Sequence, residues 1–310
     1  IWDGDRNSFR VFGDYGREAV RTAEVADAGL ETDTDPDDIA DDQTGIVDTS
    51  QRRERFRIAP RWTHNFSDVS QLETELSYQQ TSYEETEAVQ QQLFDFTNIS
   101  LRMQYRRKIS PRNAAVFRLR ARDYNSDRFG GDQQSYEVAA GIVRNVSQTT
   151  QFRARVGIES IEQEDVGLPT VSIDPQPTLE LTLSRRLETI ELLAQYWRRV
   201  NASGRGVLTA RDELYLRFTR RLNDRVSVGL GTRAYTTEAI SGSTRSEDFV
   251  QIRGQVVWRL SRSFSMQADY RHSVFDRGDA DGAADSNRFT LWLSWQPNPV
   301  GRDDRTRINL

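Results

Sequence analysis

Along almost the whole chain, apolar and polar residues alternate with a period of two, the spacing of an extended strand whose two faces meet different surroundings. Ala115, Phe117, Leu119 and Ala121 interleave with Val116, Arg118, Arg120 and Arg122, so one face is apolar and the other is mostly guanidinium. The same reading sets Phe152, Ala154, Val156 and Ile158 against Arg153, Arg155, Gly157 and Glu159, and Leu179, Leu181 and Leu183 against Glu180, Thr182 and Ser184. Helical spacing is almost absent.

Segments of this kind number about fourteen, over residues 6–16, 52–66, 70–84, 95–108, 113–126, 134–146, 149–163, 176–186, 188–199, 210–221, 224–237, 247–260, 263–275 and 286–296. The connections between them alternate in length. Short turns fall at 66–68, 109–112, 146–148, 187–188, 222–224 and 260–262, and longer polar loops at 17–51, 85–94, 127–133, 164–175, 200–209, 238–246 and 276–285. A meander of that kind gathers its short turns at one end and its long loops at the other, as bacterial outer-membrane barrels do. The expected fold class is all-β, an antiparallel up-and-down transmembrane barrel over 1–296 with an acidic external loop near 17–51 and a periplasmic tail at 297–310. The even strand count places both chain ends in the periplasm.

A soluble β-sandwich or propeller also alternates, so three further features decide between the readings. Many segments run to 11–14 residues, longer than the usual soluble strand of about 5–6 and suited to a tilted crossing of about 9–11. Trp62, Tyr78, Tyr105, Tyr136, Tyr196, Trp258, Tyr270 and Trp295 stand near strand ends on the apolar face, where interfacial girdles form. The last segment ends in the row Phe289, Leu291, Leu293 and Trp295, similar to the C-terminal signal read by the barrel-assembly machinery, with a tail following where that signal would end the chain.

Composition changes the picture on the polar face. Of the 42 basic residues only Lys108 is a lysine, and the net charge is -5. Inward positions near membrane depth carry 15 arginines, at 10, 57, 61, 102, 106, 118, 120, 122, 153, 155, 217, 233, 253, 259 and 271, against 8 acids, Asp14, Glu73, Glu75, Glu137, Glu159, Glu180, Glu191 and Asp269. That is a lumen of +7 in a chain of -5, which leaves the acid surplus to the loops and argues against nucleic acid as a partner. Arg102, Arg118, Arg120, Arg122, Arg153, Arg155, Arg217, Arg233, Arg253 and Arg271 are the candidate anion-binding wall, since a guanidinium stays charged and holds carboxylate, sulfate or phosphate through two donors. The plainer reading is that they brace the barrel by pairing with wall acids on neighbouring strands. Trp197, Tyr215, Tyr235 and Trp292 are candidates for stacking on sugar rings, or for packing.

Other chemistries find little support. With no cysteine there is no disulfide framework and no thiolate metal site, and no cofactor is expected. The stretch from Glu31 to Asp42 departs from a calcium loop, with Asp38 where glycine should turn and Thr44 where a bidentate Glu should stand. A solvated acidic loop, bridged by divalent ions to lipopolysaccharide phosphates, is the expectation there. His64 and His272 are the only histidines and both fall on the apolar face, so no catalytic constellation is expected.

Several turn motifs carry a family resemblance: Arg106-Arg107-Lys108-Ile109-Ser110-Pro111-Arg112, Arg220-Arg221-Leu222-Asn223-Asp224-Arg225, Trp258-Arg259-Leu260-Ser261-Arg262-Ser263, Asp269-Tyr270-Arg271-His272-Ser273 and Ser286-Asn287-Arg288-Phe289. The chain resembles the β-barrel porins of proteobacteria that often accompany exopolysaccharide gene clusters. The resemblance implies an outer-membrane channel and supplies no catalytic residue. Together with the basic wall, it leads to the expectation of a channel for anionic or polar solutes, an acidic polysaccharide among them. The alternative is a structural or assembly barrel with a plugged lumen that docks a partner, such as an envelope or polysaccharide-export component.

Overall fold

A computed structural model describes residues 2–19, 52–84, 94–127, 132–164, 171–202, 208–240, 246–261, 263–276 and 283–295. The elements are β1 (Trp2–Asp3), β2 (Asn7–Ala19), β3 (Arg52–Ser67), β4 (Ser70–Tyr83), β5 (Phe96–Ser110), β6 (Asn113–Ser126), β7 (Asp132–Asn145), β8 (Thr150–Glu164), β9 (Val171–Arg186), β10 (Ile190–Ala202), β11 (Leu208–Arg221), β12 (Val226–Ala239), β13 (Ser246–Arg259), β14 (Phe264–Asp276) and β15 (Ala284–Trp295). They form one sheet in chain order, each strand antiparallel to the next. Each of the fourteen segments expected from the alternation is a strand within a few residues, and the short β1 ladder is an addition. The expected acidic loop from residue 20 onward and the tail at 297–310 lie outside the described residues.

The short turns owe their tightness to side chains that take over backbone hydrogen bonds. The Asn223 carboxamide oxygen accepts from the amides of Arg225 and Val226 at 2.8 and 2.9 Å. Ser110 Oγ accepts from Arg112 and Asn113, and Ser261 Oγ from Ser263 and Phe264. A short polar side chain at the first turn position thus imitates the backbone partner that the reversing chain has lost.

Burial separates the faces. Along β6, Phe117 and Leu119 are exposed while Arg118, Arg122 and Tyr124 are buried, the reverse of a soluble sheet packed on an apolar core. Leu76, Ile99, Leu101, Val138, Val156, Leu216, Leu230 and Ile252 continue the exposed apolar band on the same face. Near the short turns this band ends in aromatics, with the Trp62, His64, Phe66 and Tyr105 rings in sequence at centroid distances of 5.6, 4.6 and 6.5 Å, and Phe264 stacked on Trp295.

The polar face is concave. Neighbouring strands lie about 4.8 Å apart, so β6 and β10 in a flat sheet would stand about 19 Å apart. Yet Arg122 Nη1 donates to the carbonyl of Val200 at 2.9 Å, and Arg155 Nη2 on β8 reaches Gln104 Oε1 on β5 at 3.1 Å. Small residues permit the curl where it is tightest. A Cβ at Gly157 would sit 2.6 Å from both the Ala139 Cβ and the Val138 carbonyl, and one at Gly141 would sit 2.3 Å from the Ala154 carbonyl. The sheet ends at β15 on one side and at β1 with β2 on the other, and among the described residues no ladder joins the two.

Two outcomes follow. Gly157→Ala forces backbone apart and should lower stability by about 1–3 kcal/mol, the usual cost of overpacking, whereas Gly231→Ala, with nothing nearer than 3.9 Å, should be close to neutral; unfolding midpoints in detergent micelles compare them. Leu181→Arg adds a charge to the outward face and should cost about 2–4 kcal/mol on insertion into lipid. Thr182→Arg points the other way, so a vesicle-insertion assay that found the two equally tolerated would contradict the face assignment.

Candidate functional site

Residues on the concave face come together because the strands pair in register and the sheet curls. Glu75 on β4 lies opposite Arg61 on one side and Arg102 on the other. It accepts from Arg61 Nε at 2.8 Å and from Arg102 Nη2 at 3.2 Å. Arg120 and Glu137 are direct partners across β6 and β7, and Arg155 and Glu180 across β8 and β9.

The densest part is a lattice on β6 to β9. Glu137 accepts from Arg118 Nη2 at 2.8 Å and Thr178 Oγ1 at 3.0 Å, and Arg120 Nε stands 3.2 Å from its second oxygen. Arg120 Nη2 also donates to Glu159 at 3.2 Å, whose other oxygen takes the Ser135 hydroxyl at 2.7 Å. Glu180 accepts from Arg155 Nη1 at 2.8 Å with Arg118 Nη1 at 3.8 Å. Glu137 is 2% exposed and Glu159 0%, so these acids depend on protein donors in place of water. Further along the sheet Arg233 pairs with Glu213, Arg253 with Asp269, and Arg55 with Asp14 at 2.9 Å.

All ten expected wall arginines lie on this face. Arg102, Arg118, Arg122, Arg155, Arg233 and Arg271 are buried, and Arg120, Arg153, Arg217 and Arg253 are partly covered. The same face also holds Arg53, Arg55, Arg199, Arg211 and Arg288, with Glu213 and Glu247, residues outside the sequence count. Added to the 15 arginines and 8 acids read from the sequence, they keep arginine in excess of acid on this face among the described residues. The signal for most of them was the same alternation carried a few residues closer to the loops.

Trp197, Tyr215 and Tyr235 are buried, the packing alternative for these three. The Arg199 guanidinium lies 5.1 Å from the Trp197 ring centre, while Tyr235 has Arg211 at 4.0 Å and Phe249 stacked at 4.9 Å. Trp292, opposite Gln267 on the inner face, keeps an exposed ring. Phe289, Leu291, Leu293 and Trp295 form an exposed outward row on β15.

Three layers succeed one another along the concave face. At the short-turn end a cavity of about 760 Å³ is lined by Arg112, Arg153, Arg185, Arg186, Arg217, Glu191 and several hydroxyl side chains. A second, smaller cavity of about 40 Å³ lies among Arg102, Arg118, Arg120, Arg155, Glu180 and Trp197, room for little more than one water. At the long-loop end Tyr83, Phe96, Tyr124, Ile161, Val200 and Leu208 pack together from four hairpins, with Tyr235, Phe249 and Phe275 as a second group. Sequence reading placed Tyr83, Phe96, Tyr124 and Ile161 on strands and missed this apolar layer, because their packing across hairpins is not local to any one strand.

Among the described residues no cluster of His, Asp and Glu has the makings of a metal site. His64 and His272 sit on the outward face, their Nδ1 atoms at 2.8 Å from Asn7 Oδ1 and 3.0 Å from Asn287 Oδ1.

Removing one member of the lattice should expose its structural weight. Glu137→Gln leaves Arg118 and Arg120 short of a counter-charge in a buried place, a loss of about 3–5 kcal/mol. Arg186→Ala breaks a 3.6 Å pair with Glu191 that is more than half exposed, and should cost less than about 1 kcal/mol. Urea unfolding in micelles distinguishes the two.

No family model matches the sequence, and no curated protein does. Solved structures do. The FrpB iron transporter from Neisseria meningitidis is similar over 94% of this chain and 55% of its own, with a TM-score of 0.59 at 8% identity. The outer membrane channel DcaP of Acinetobacter baumannii (95% of this chain, 99% of its own, TM-score 0.44, 10% identity) and the TodX monoaromatic hydrocarbon channel (94% and 90%, 0.42, 8%) are also similar. The chain spans about half the length of the iron transporter. At these identities the likeness is one of fold: an up-and-down antiparallel sheet of the outer-membrane barrel type.

Proposed function

We propose that the protein is an outer-membrane channel for anionic solutes, with its interior closed at the long-loop end in the conformation described. The observation that carries this reading is the excess of arginine over acid on the inner face among the described residues, much of it buried or partly buried. Buried charge of one sign is costly unless it is balanced, and a net positive face lowers that cost by drawing anions from solution. Such a wall attracts anions and repels cations over the Debye length.

The barrel-type fold, the outward apolar band and its aromatic border support an integral outer-membrane location, with lipid and lipopolysaccharide as its surroundings. Asn7 at the start of β2 pairs with His64, and Trp295 at the end of β15 pairs with Phe264, both beside short turns. We place that end in the periplasm and the long loops outside. The row from Phe289 to Trp295 is our candidate for recognition by the barrel-assembly machinery. We assign no catalysis to the protein. Linear oligoanions, acidic oligosaccharides among them, are the solutes we favour, because a narrow bore lined by separate guanidinium groups reads charge along a chain and leaves only Trp292 for ring stacking.

A second reading, the structural barrel with a filled lumen, draws on the 40 Å³ void and the apolar layer. Single-channel recording separates the two. In a planar bilayer under a dilute KCl gradient the reversal potential should lie on the anion side, and it should fade as salt shortens the screening length from about 10 Å at 0.1 M to about 3 Å at 1 M. Tyr124→Ala, which removes a fully buried ring from the apolar layer, should raise the open probability. Cation selectivity in dilute KCl defeats the anion-channel reading, and an absence of conductance in both proteins favours the structural one.

A further inference from the structure

The short-turn cavity differs from the lattice above it in kind. In the lattice Glu137 and Glu180 each lie between two guanidinium groups and Glu159 takes Arg120 with the Ser135 hydroxyl, so charge is matched locally. The cavity brings five arginines to one acid. Arg153 comes from β8, Arg217 from β11, Arg185 and Arg186 from the end of β9, and Arg112 from the β5–β6 turn. The acid, Glu191, is itself exposed and stands 3.6 Å from Arg186, a geometry worth little in water.

We propose that this cavity is a binding site for a soluble oligoanion with several clustered phosphates, a linear oligophosphate or the phosphate tail of a nucleotide. The size fits such a ligand. At about 760 Å³ the space is far larger than a single phosphate needs and falls within the range of small-molecule sites. Guanidinium groups arriving from different strands converge on one volume, so several phosphates in a row can each take a two-donor fork. Thr149, Thr150 and Ser184 line the same space and supply hydroxyl donors. Arg153, Ser184 and Arg217 stand on the concave side, away from the apolar band, and Arg185 stands at the rim on the outward face, so the concave pair Arg153 and Arg217 is what sets the ligand apart from a lipid headgroup. The proposal deepens the anion-channel reading and rests on it only for the route by which the ligand would leave.

The probe is inorganic tripolyphosphate, titrated calorimetrically into the barrel in zwitterionic detergent at 50 mM salt. Saturable binding is expected, weakening at least tenfold at 200 mM salt, with inorganic phosphate at least tenfold weaker than tripolyphosphate. Arg153→Gln with Arg217→Gln should reduce affinity at least tenfold. Arg185→Gln, at an exposed position where folding is not at risk, should reduce it several-fold. Arg107→Gln, near the same turns but on the opposite face from Gln104 and Arg106, should leave it unchanged. Failure of the wild type to bind, equal binding of inorganic phosphate, or an equal loss in Arg107→Gln overturns the site. The outcome is separable from that of the channel reading: anion-selective conductance without tripolyphosphate binding sinks this site alone, and binding without anion selectivity sinks the channel reading alone.

Discussion

A carboxylate deprived of water must be surrounded by donors, and on the inner face of this sheet that requirement sets the curvature. Glu137 draws its donors from Arg118 and Arg120 on one neighbouring strand and from Thr178 two strands away on the other side. Glu180 holds Arg155 on the adjacent strand and has Arg118 within 3.8 Å from three strands off. A flat sheet cannot satisfy such acids, because donors two and three strands away would lie out of reach. The arginines are long enough to span the gap only once the strands have rolled. Gly141, Gly157 and Ala139 stand among them on the same face and let the backbones approach. The longest and the smallest side chains therefore serve one purpose, and neither works without the other.

Much of this was legible in the chain. Alternation locates strands because a half-buried strand has no other way to present two surfaces, and it assigned Leu119, Val156, Leu216 and Leu291 to one face and Arg120, Arg155 and Arg253 to the other. What alternation cannot convey is which residues meet across the curl. Arg122 bonding to the Val200 carbonyl depends on four strands of accumulated curvature, and nothing local to either residue announces it. The same limit hid the apolar layer. Tyr124 continues the row of Arg118, Arg120 and Arg122, so its face was readable, but its packing with Phe96, Ile161 and Leu208 belongs to the rolled sheet. The aromatic candidates follow the packing alternative: Tyr235 lies on the inner face as expected, with Arg211 and Phe249 against its ring.

Charge is distributed to match. With arginine in excess on the inner face and a net charge of -5 in total, the acid surplus lies elsewhere in the chain. Asp123, Asp132, Glu162 and Glu164, at strand ends beside the long loops, belong to it, as does the acidic stretch between Glu31 and Asp42. Among the described residues Arg112, Arg185 and Arg186 gather at the short-turn end.

The two kinds of closure on the inner face respond differently to being disturbed. Separating a buried guanidinium from its carboxylate costs about 3–5 kcal/mol for each pair broken, and the pairs share members, so that Arg120 cannot leave Glu137 without also disturbing Glu159. Turning one ring out of the apolar layer exposes a side chain worth about 1.5–3 kcal/mol and leaves no charge stranded. Tyr83 and Tyr124 can carry their hydroxyl groups into water as they move, which lowers the cost further. Turning a ring out of the apolar layer therefore disturbs the inner face less than breaking into the ion lattice does.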